Sequence, residues 1–183
     1  MRGTITELES EIAKLRAENS ALSERIEFLS QHAALARGMA GERLIAKVTG
    51  GRTTKHTAAF DVETNQGASI EVKAGTLSSP KHGSAGTRWQ WNKIFGQTGN
   101  KKYDYLLLVG LADDRWRSQY RDPTSPYTLF LIPFELVDQL TVKMNPRGIL
   151  LSTNPSRVGE RSSRLFDEYQ ITIREIEDRF NFI

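Results

Sequence analysis

Cysteine is absent from the 183 residues, which excludes a disulfide framework, a thiolate metal site and a cysteine nucleophile. Histidine is scarce: His32, His56 and His82 are scattered along the chain and do not form the clustered set that a histidine-based zinc site needs. No apolar run approaches the roughly 20 residues of a membrane-spanning helix, and the N-terminus lacks the basic-then-apolar pattern of a secretory signal. A soluble, cytoplasmic protein with no membrane association is the expectation. Familiar catalytic signatures are missing as well. "TGGRTTK" lacks the spacing of a phosphate loop, and neither a nucleophile elbow nor a dinucleotide fingerprint is present.

Acidic residues are missing from one long interval. None occurs between Glu71 and Asp104, whereas Lys73, Lys81, Arg88, Lys93, Lys101 and Lys102 all fall there. A second acid-free stretch, residues 141–159, holds Lys143, Arg147 and Arg157. The net charge of +3 is modest, so it is this distribution that marks a local cationic surface suited to nucleic acid. Lys81, Arg88, Lys93, Lys101 and Lys102 are the candidate phosphate contacts.

The first part of the chain follows a seven-residue repeat. Ile5, Ile12, Asn19, Ile26 and Ala33 occupy one position; Leu8, Leu15, Leu22, Leu29 and Ala36 occupy the other. Isoleucine at a with leucine at d favours a parallel two-stranded coiled coil, and one asparagine at an a position fixes register and oligomer state. Asn19 fills that role, and Glu11 faces Arg16 of a parallel partner. Residues 5–36 are thus expected to form a homodimer, a zipper roughly 50 Å long at the standard helical rise. Gly38 and Gly41 read as the hinge that follows. The chain divides on this reading into a coiled coil over 1–37 and an α/β domain over 38–183.

Within the second part, residues 60–63 and 69–74 alternate apolar and polar around the turn Asn65-Gln66-Gly67. Matching the apolar faces sets Val62 opposite Ile70 and Asp61 opposite Glu71. Like charges in that position repel. A hard divalent cation between them removes the conflict, and the exposed face of such a hairpin is a suitable platform. Lys73 shares the face of Glu71 and is placed to stabilise phosphoryl charge or to assist a water. Downstream, 42–48 reads as a helix, 49–56 as a flexible stretch, 89–95 as the start of a helix, 103–111 and 127–132 as strands, and 134–140 as a helix after Pro133. Residues 148–152 add a further strand, and 165–180 are ambiguous. The fold class expected is α/β, a mixed sheet with helices on both sides.

"FDV" at 60–62 and "IEVKAG" at 70–75 resemble the PD-(D/E)XK nuclease superfamily, which includes many restriction endonucleases. Asp61 matches its first acid, Glu71 the second and Lys73 the lysine; "AGERLIAKV" is similar to its preceding helix and makes Glu42 the fourth candidate. Phe60 stands where the motif has proline. The resemblance implies a restriction-endonuclease-like mixed sheet flanked by helices over about residues 41–137, with Mg²⁺, or Mn²⁺ in its place, held by Asp61, Glu71 and the carbonyl of Val72. It also offers Gln90 as a helix residue after the triplet. The expected activity is that of a metal-dependent DNA endonuclease acting as a dimer, such as a type II restriction enzyme. Other readings of the same residues are a nucleic-acid-binding module without catalysis, a coiled-coil scaffold, and a ribonuclease of the same design.

Overall fold

The computed structural model describes residues 2–31, 33–55, 58–78, 87–96, 99–142 and 147–181. The chain divides into two compact units, Met1–Arg37 and Gly38–Ile183. In the first unit α1 spans Arg2–Gln31. Leu8, Ile12, Leu15 and Leu22 are between 48% and 62% exposed, so a one-sided apolar stripe lies open to solvent. Pairing into a two-stranded coil is not shown by one chain. Among the described residues no helix is long and apolar enough to cross a membrane.

The next helix, α2, spans Ala33–Val48. It includes Gly38 and Gly41, and the boundary between the two units falls at Gly38. Gly41 lies close to β3: a Cβ on it would stand 3.5 Å from Cγ1 of Val72.

The second unit is mixed α/β, built on two sheets. The larger has six strands, β1 (Arg52–Thr53), β2 (Val62–Glu63), β3 (Ser69–Ala74), β6 (Tyr105–Leu111), β7 (Tyr127–Pro133) and β9 (Gln170–Ile171), hydrogen-bonded in that order. All neighbours are antiparallel except β3 and β6, which run parallel with Glu71 opposite Leu106 and Lys73 opposite Leu108. The smaller sheet joins β4 (Thr76–Ser78), β5 (Arg88–Asn92) and β8 (Gly148–Ser152), all antiparallel. The chain leaves the large sheet at Gly75, builds β4 and β5, and returns as β6, which is the crossover a parallel pair requires.

Alternation along the strands sorts their side chains into two cores. Val62, Ile70, Val72, Leu107, Val109, Leu129 and Leu131 face α2 and α5 (Ile173–Asn181), where Ile45, Ile176 and Phe180 cover them. Helix α5 starts with a capping box: the Thr172 N–H donates to the Glu175 carboxylate at 2.8 Å, and the Glu175 N–H donates back to Thr172 Oγ1 at 3.2 Å. The other face presents Leu106, Leu108, Phe130 and Ile132 to Trp89, Trp91, Ile149 and Leu151 of the small sheet. Helix α3 (Phe134–Leu140) adds Val137 and Leu140, and a π-turn at Leu165–Tyr169, after α4 (Glu160–Arg164), adds Leu165. Helices thus cover one face, while a second sheet covers much of the other.

The segment at 89–95 is corrected accordingly: residues 88–92 form a strand, not a helix. Its burial alternates, with Trp89 and Trp91 inside and Arg88 and Asn92 outside. Both indoles lie against backbone that only glycine permits. A Cβ on Gly75 would come within 2.5 Å of Trp91 Nε1, and one on Gly110 within 2.8 Å of Trp89. Their N–H groups donate to the carbonyls of Val109 (3.1 Å) and Leu111 (2.8 Å). Truncating either to alanine would cost about 3–5 kcal/mol on the scale of buried aromatic deletions. Gln90 therefore sits on a strand, with its amide donating to Asn92 at 3.1 Å.

Candidate active site

Turn chemistry sets the first two residues of the site. Gly67 adopts φ +82°, the Gly67 N–H donates to the Thr64 carbonyl at 3.0 Å and the Thr64 N–H to the Ala68 carbonyl at 2.9 Å. With this turn Val62 pairs with Ile70, as the alternation implies. The Asp61 N–H also donates to the Ile70 carbonyl, at 3.0 Å, so Asp61 and Val62 both address one residue of β3, the arrangement of a bulge. The bulge turns the Asp61 carboxylate inward, where it accepts the Val72 N–H at 2.9 Å. A strand residue projects its N–H and C=O from the same edge, so the Val72 carbonyl is on the Asp61 side.

Glu71 and Lys73 lie on the face of β3 that looks toward the small sheet. The expected platform was an exposed hairpin face; that is corrected, because the Glu71 side chain is 0% exposed while those of Asp61, Lys73 and Lys101 are 20%, 23% and 25% exposed. Glu71 is therefore the floor of the site and the other three form its mouth. The Lys73 ammonium bonds Glu71 Oε1 and lies 4.0 Å from Asp61 Oδ2. The Lys101 ammonium donates to both Glu71 oxygens, at 2.8 and 2.7 Å, and lies 3.9 Å from Asp61 Oδ1.

Burial pushes the Glu71 carboxyl above the ordinary glutamate range and the nearby Asp61 charge pushes the same way, against the two lysines. Burial and the Glu71 charge also raise the Tyr103 phenol, whose hydroxyl donates to the Ile94 carbonyl at 2.9 Å. Asp104 clamps the start of β6 to β3. Its carboxylate accepts the Ser69 N–H and hydroxyl, both at 2.7 Å, and these bonds hold its pKa below the usual range. The clamp fixes the segment that carries Lys101.

The structure brings Asp61, Glu71, Val72 and Lys73 together. Glu42 is half-buried on α2, one residue beyond the approach of Gly41 to Val72. Among the described residues no three of Asp, Glu, His or Cys form a metal-holding group, so Glu42 does not complete a three-carboxylate set. Of the candidate phosphate contacts, Arg88, Lys93 and Lys102 are exposed, and Lys81 falls outside the described residues. Lys101 lies at the mouth of the site with its ammonium bonded to Glu71. Nothing local in the sequence marks it for the site beyond its place in the acid-free interval.

The donor set fits a hard divalent cation. Two carboxylates and one carbonyl supply oxygen alone, and Mg²⁺ takes only one or two protein carboxylates and keeps several waters. Positive charge already gathers here as two ammonium groups. No family model and no curated protein matches the chain. Function is therefore read from the side chains themselves.

Proposed function

We propose that the protein is a Mg²⁺-dependent phosphodiester hydrolase of restriction-endonuclease-like fold, a DNA endonuclease that works as a homodimer through residues 5–36. The observation that carries this reading is the convergence of Asp61, Glu71 and Lys73 at the bulged junction of β2 and β3, with one carboxylate buried and the other at the mouth. Asp61, Glu71 and the Val72 carbonyl would hold the metal, with Mn²⁺ able to substitute. The bound ion would neutralise phosphoryl charge and supply a water of lowered pKa. The chain's own part is to orient and to exclude. The buried Glu71 fixes one donor in a dry floor, the Val72 N–H holds the Asp61 carboxylate in place, and Lys73 steadies charge on the phosphoryl oxygens or positions the attacking water. Exposed Arg88, Lys93 and Lys102 would supply backbone contacts that carry no sequence information, and Glu42 would orient a water or support a second ion once substrate is bound.

The open Leu8, Ile12, Leu15 and Leu22 stripe with Asn19 between supports the dimer, since one asparagine among apolar a and d positions specifies two parallel strands. Two sites related by a two-fold axis address both strands of a duplex. Deleting residues 1–37 should convert a dimer into a monomer in sedimentation, and an unchanged dimer would sink the zipper.

A second reading, a binding module without catalysis, draws on the same cluster: two lysines already neutralise two carboxylates. It predicts salt-sensitive DNA binding that survives Asp61→Ala with no metal-dependent cutting. The hydrolase predicts cutting of plasmid DNA that needs Mg²⁺ or Mn²⁺ and stops in EDTA.

A further inference from the structure

Lys101 holds the Glu71 carboxylate in a way that Lys73 does not. Lys73 bonds Oε1 alone, whereas Lys101 reaches both Oε1 and Oε2 at 2.8 and 2.7 Å and stands 3.9 Å from the Asp61 carboxylate. It therefore covers the oxygen pair that faces Asp61, where a cation shared by the two acids would sit. The lysine is seated there by its own stretch of chain. Its N–H donates to the Phe95 carbonyl at 3.1 Å, and its stem lies over Gly96, where a Cβ would stand 3.0 Å from Cγ of Lys101. Gly96 adopts φ +73°, so glycine serves there both for the backbone and for the space. Lys73 arrives instead from β3 itself, two residues after Glu71.

Charge gives the consequence. Asp61 and Glu71 together carry two negative charges and the two ammonium groups cancel them. A divalent ion added beside both ammoniums would leave a strong surplus of positive charge within about 4 Å, a separation at which like charges repel strongly at the dielectric of a protein surface. One lysine must withdraw, and Lys101 is the one that covers both oxygens.

Resting on the hydrolase reading, we propose that Lys101 is the built-in competitor of the catalytic metal: its ammonium occupies the cation position between Glu71 and Asp61 in the free protein and yields that position when a divalent ion binds. Lys101 thereby sets how much metal the protein needs, and its withdrawal frees a long cationic side chain at the mouth of the site.

The test is Mn²⁺ titration of the full chain, followed by calorimetry and by the loss of free-ion paramagnetic signal, for the wild type and for Lys101→Met, Lys101→Gln, Lys101→Arg and Glu71→Gln. Lys101→Met and Lys101→Gln should bind Mn²⁺ at least tenfold more tightly than the wild type. Lys101→Arg, which keeps a cation with a fork suited to carboxylate, should not gain. Glu71→Gln should abolish binding. The Gln variant retains an amide donor for Glu71 in case the Met variant fails to fold. In the wild-type chain, the ¹⁵N resonance of the Lys101 ammonium should move to a solvent-like position as Mg²⁺ saturates. Unchanged affinity in the Met and Gln variants, or an unmoved ammonium resonance with Mg²⁺ bound, overturns the competitor while leaving the metal site standing. Absence of Mn²⁺ binding from every variant overturns the metal-dependent hydrolase itself, and the competitor with it.

Discussion

Two buried carboxylates of this protein meet the same problem with opposite solutions. Glu71 is lined by two lysine ammoniums, and its pKa is raised, with burial as the chief cause. Asp113, after β6, is held far below the usual carboxylate range, chiefly by hydrogen bonds from Arg115. Its Oδ1 accepts the Arg115 N–H (3.2 Å) and Nε–H (3.0 Å); its Oδ2 accepts from Arg115 at 2.8 Å, from Thr153 at 2.9 Å and from Thr87. The Thr87 and Thr153 hydroxyl oxygens also lie 2.7 Å apart, within reach of an exchanged proton, and Tyr120 donates to the Thr153 carbonyl at 2.7 Å. This network ties the small sheet to the loop after β6 through two short threonine hydroxyls, a backbone N–H and the fork of Arg115. Around Glu71 the donors are the tips of long, flexible side chains. On the proposal above, the difference separates a carboxylate that keeps its partners from one that exchanges its counter-ion.

The sharpest way to break the comparison is to remove one group from each cluster. Lys73→Ala should lower metal-dependent cleavage by a hundredfold or more, on the order of the 10²–10⁴-fold typical of a lost general acid–base or charge-stabilising group, in a plasmid assay. Asp113→Ala should leave cleavage in place but cost about 1–3 kcal/mol in urea unfolding, because it removes the acceptor shared by Arg115, the half-buried Thr87 and the buried Thr153.

Acid titration sharpens the contrast. Because the folded pKa of Asp113 is depressed, its contribution is complete above its unfolded value of about 3.9 and is lost as pH falls below it. Asp113→Asn should therefore be less stable than the wild type at pH 7, and the gap should narrow below about pH 4 when unfolding is followed across pH.

Smaller effects come from the stretch that seats Lys101. Gly96→Ala places a Cβ at positive φ against the lysine stem and should cost about 1–2 kcal/mol in thermal unfolding. Lys93 is the one positive-φ residue other than glycine among the described residues, at φ 55°. Lys93→Gly should stabilise by up to about 1 kcal/mol, offset by the greater entropy of the unfolded glycine.

The same contrast shows how far the sequence could be read. The Val62 and Ile70 pairing, the apolar run that became β6, the strand at 127–133 and the helix after Pro133 follow from short-range pattern, since period and turn chemistry are local. Residues 88–92 misled because Trp91, Ile94 and Phe95 also satisfy helical spacing; the alternation of Arg88, Trp89, Gln90, Trp91 and Asn92 was the competing signal. Gly38 and Gly41 read as a hinge; both lie within α2, and the boundary between the two units falls at Gly38. Burial of Glu71 was invisible, since period-2 alternation reports which side a residue faces and not what covers that side. Lys101 lies thirty positions from Glu71, and only the crossover through the second sheet brings them together. The Asp113 network, drawn from residues 87, 113, 115 and 153, is hidden for the same reason.

The most direct test is incubation of purified protein with supercoiled plasmid and long phage DNA in Mg²⁺, Mn²⁺ or EDTA, beside Lys73→Ala and Asp61→Ala. The account predicts cutting that requires the metal and is lost in both variants while both still fold and bind DNA. Absence of cutting from every DNA, single-stranded and branched forms included, with binding unchanged in the variants, would contradict it.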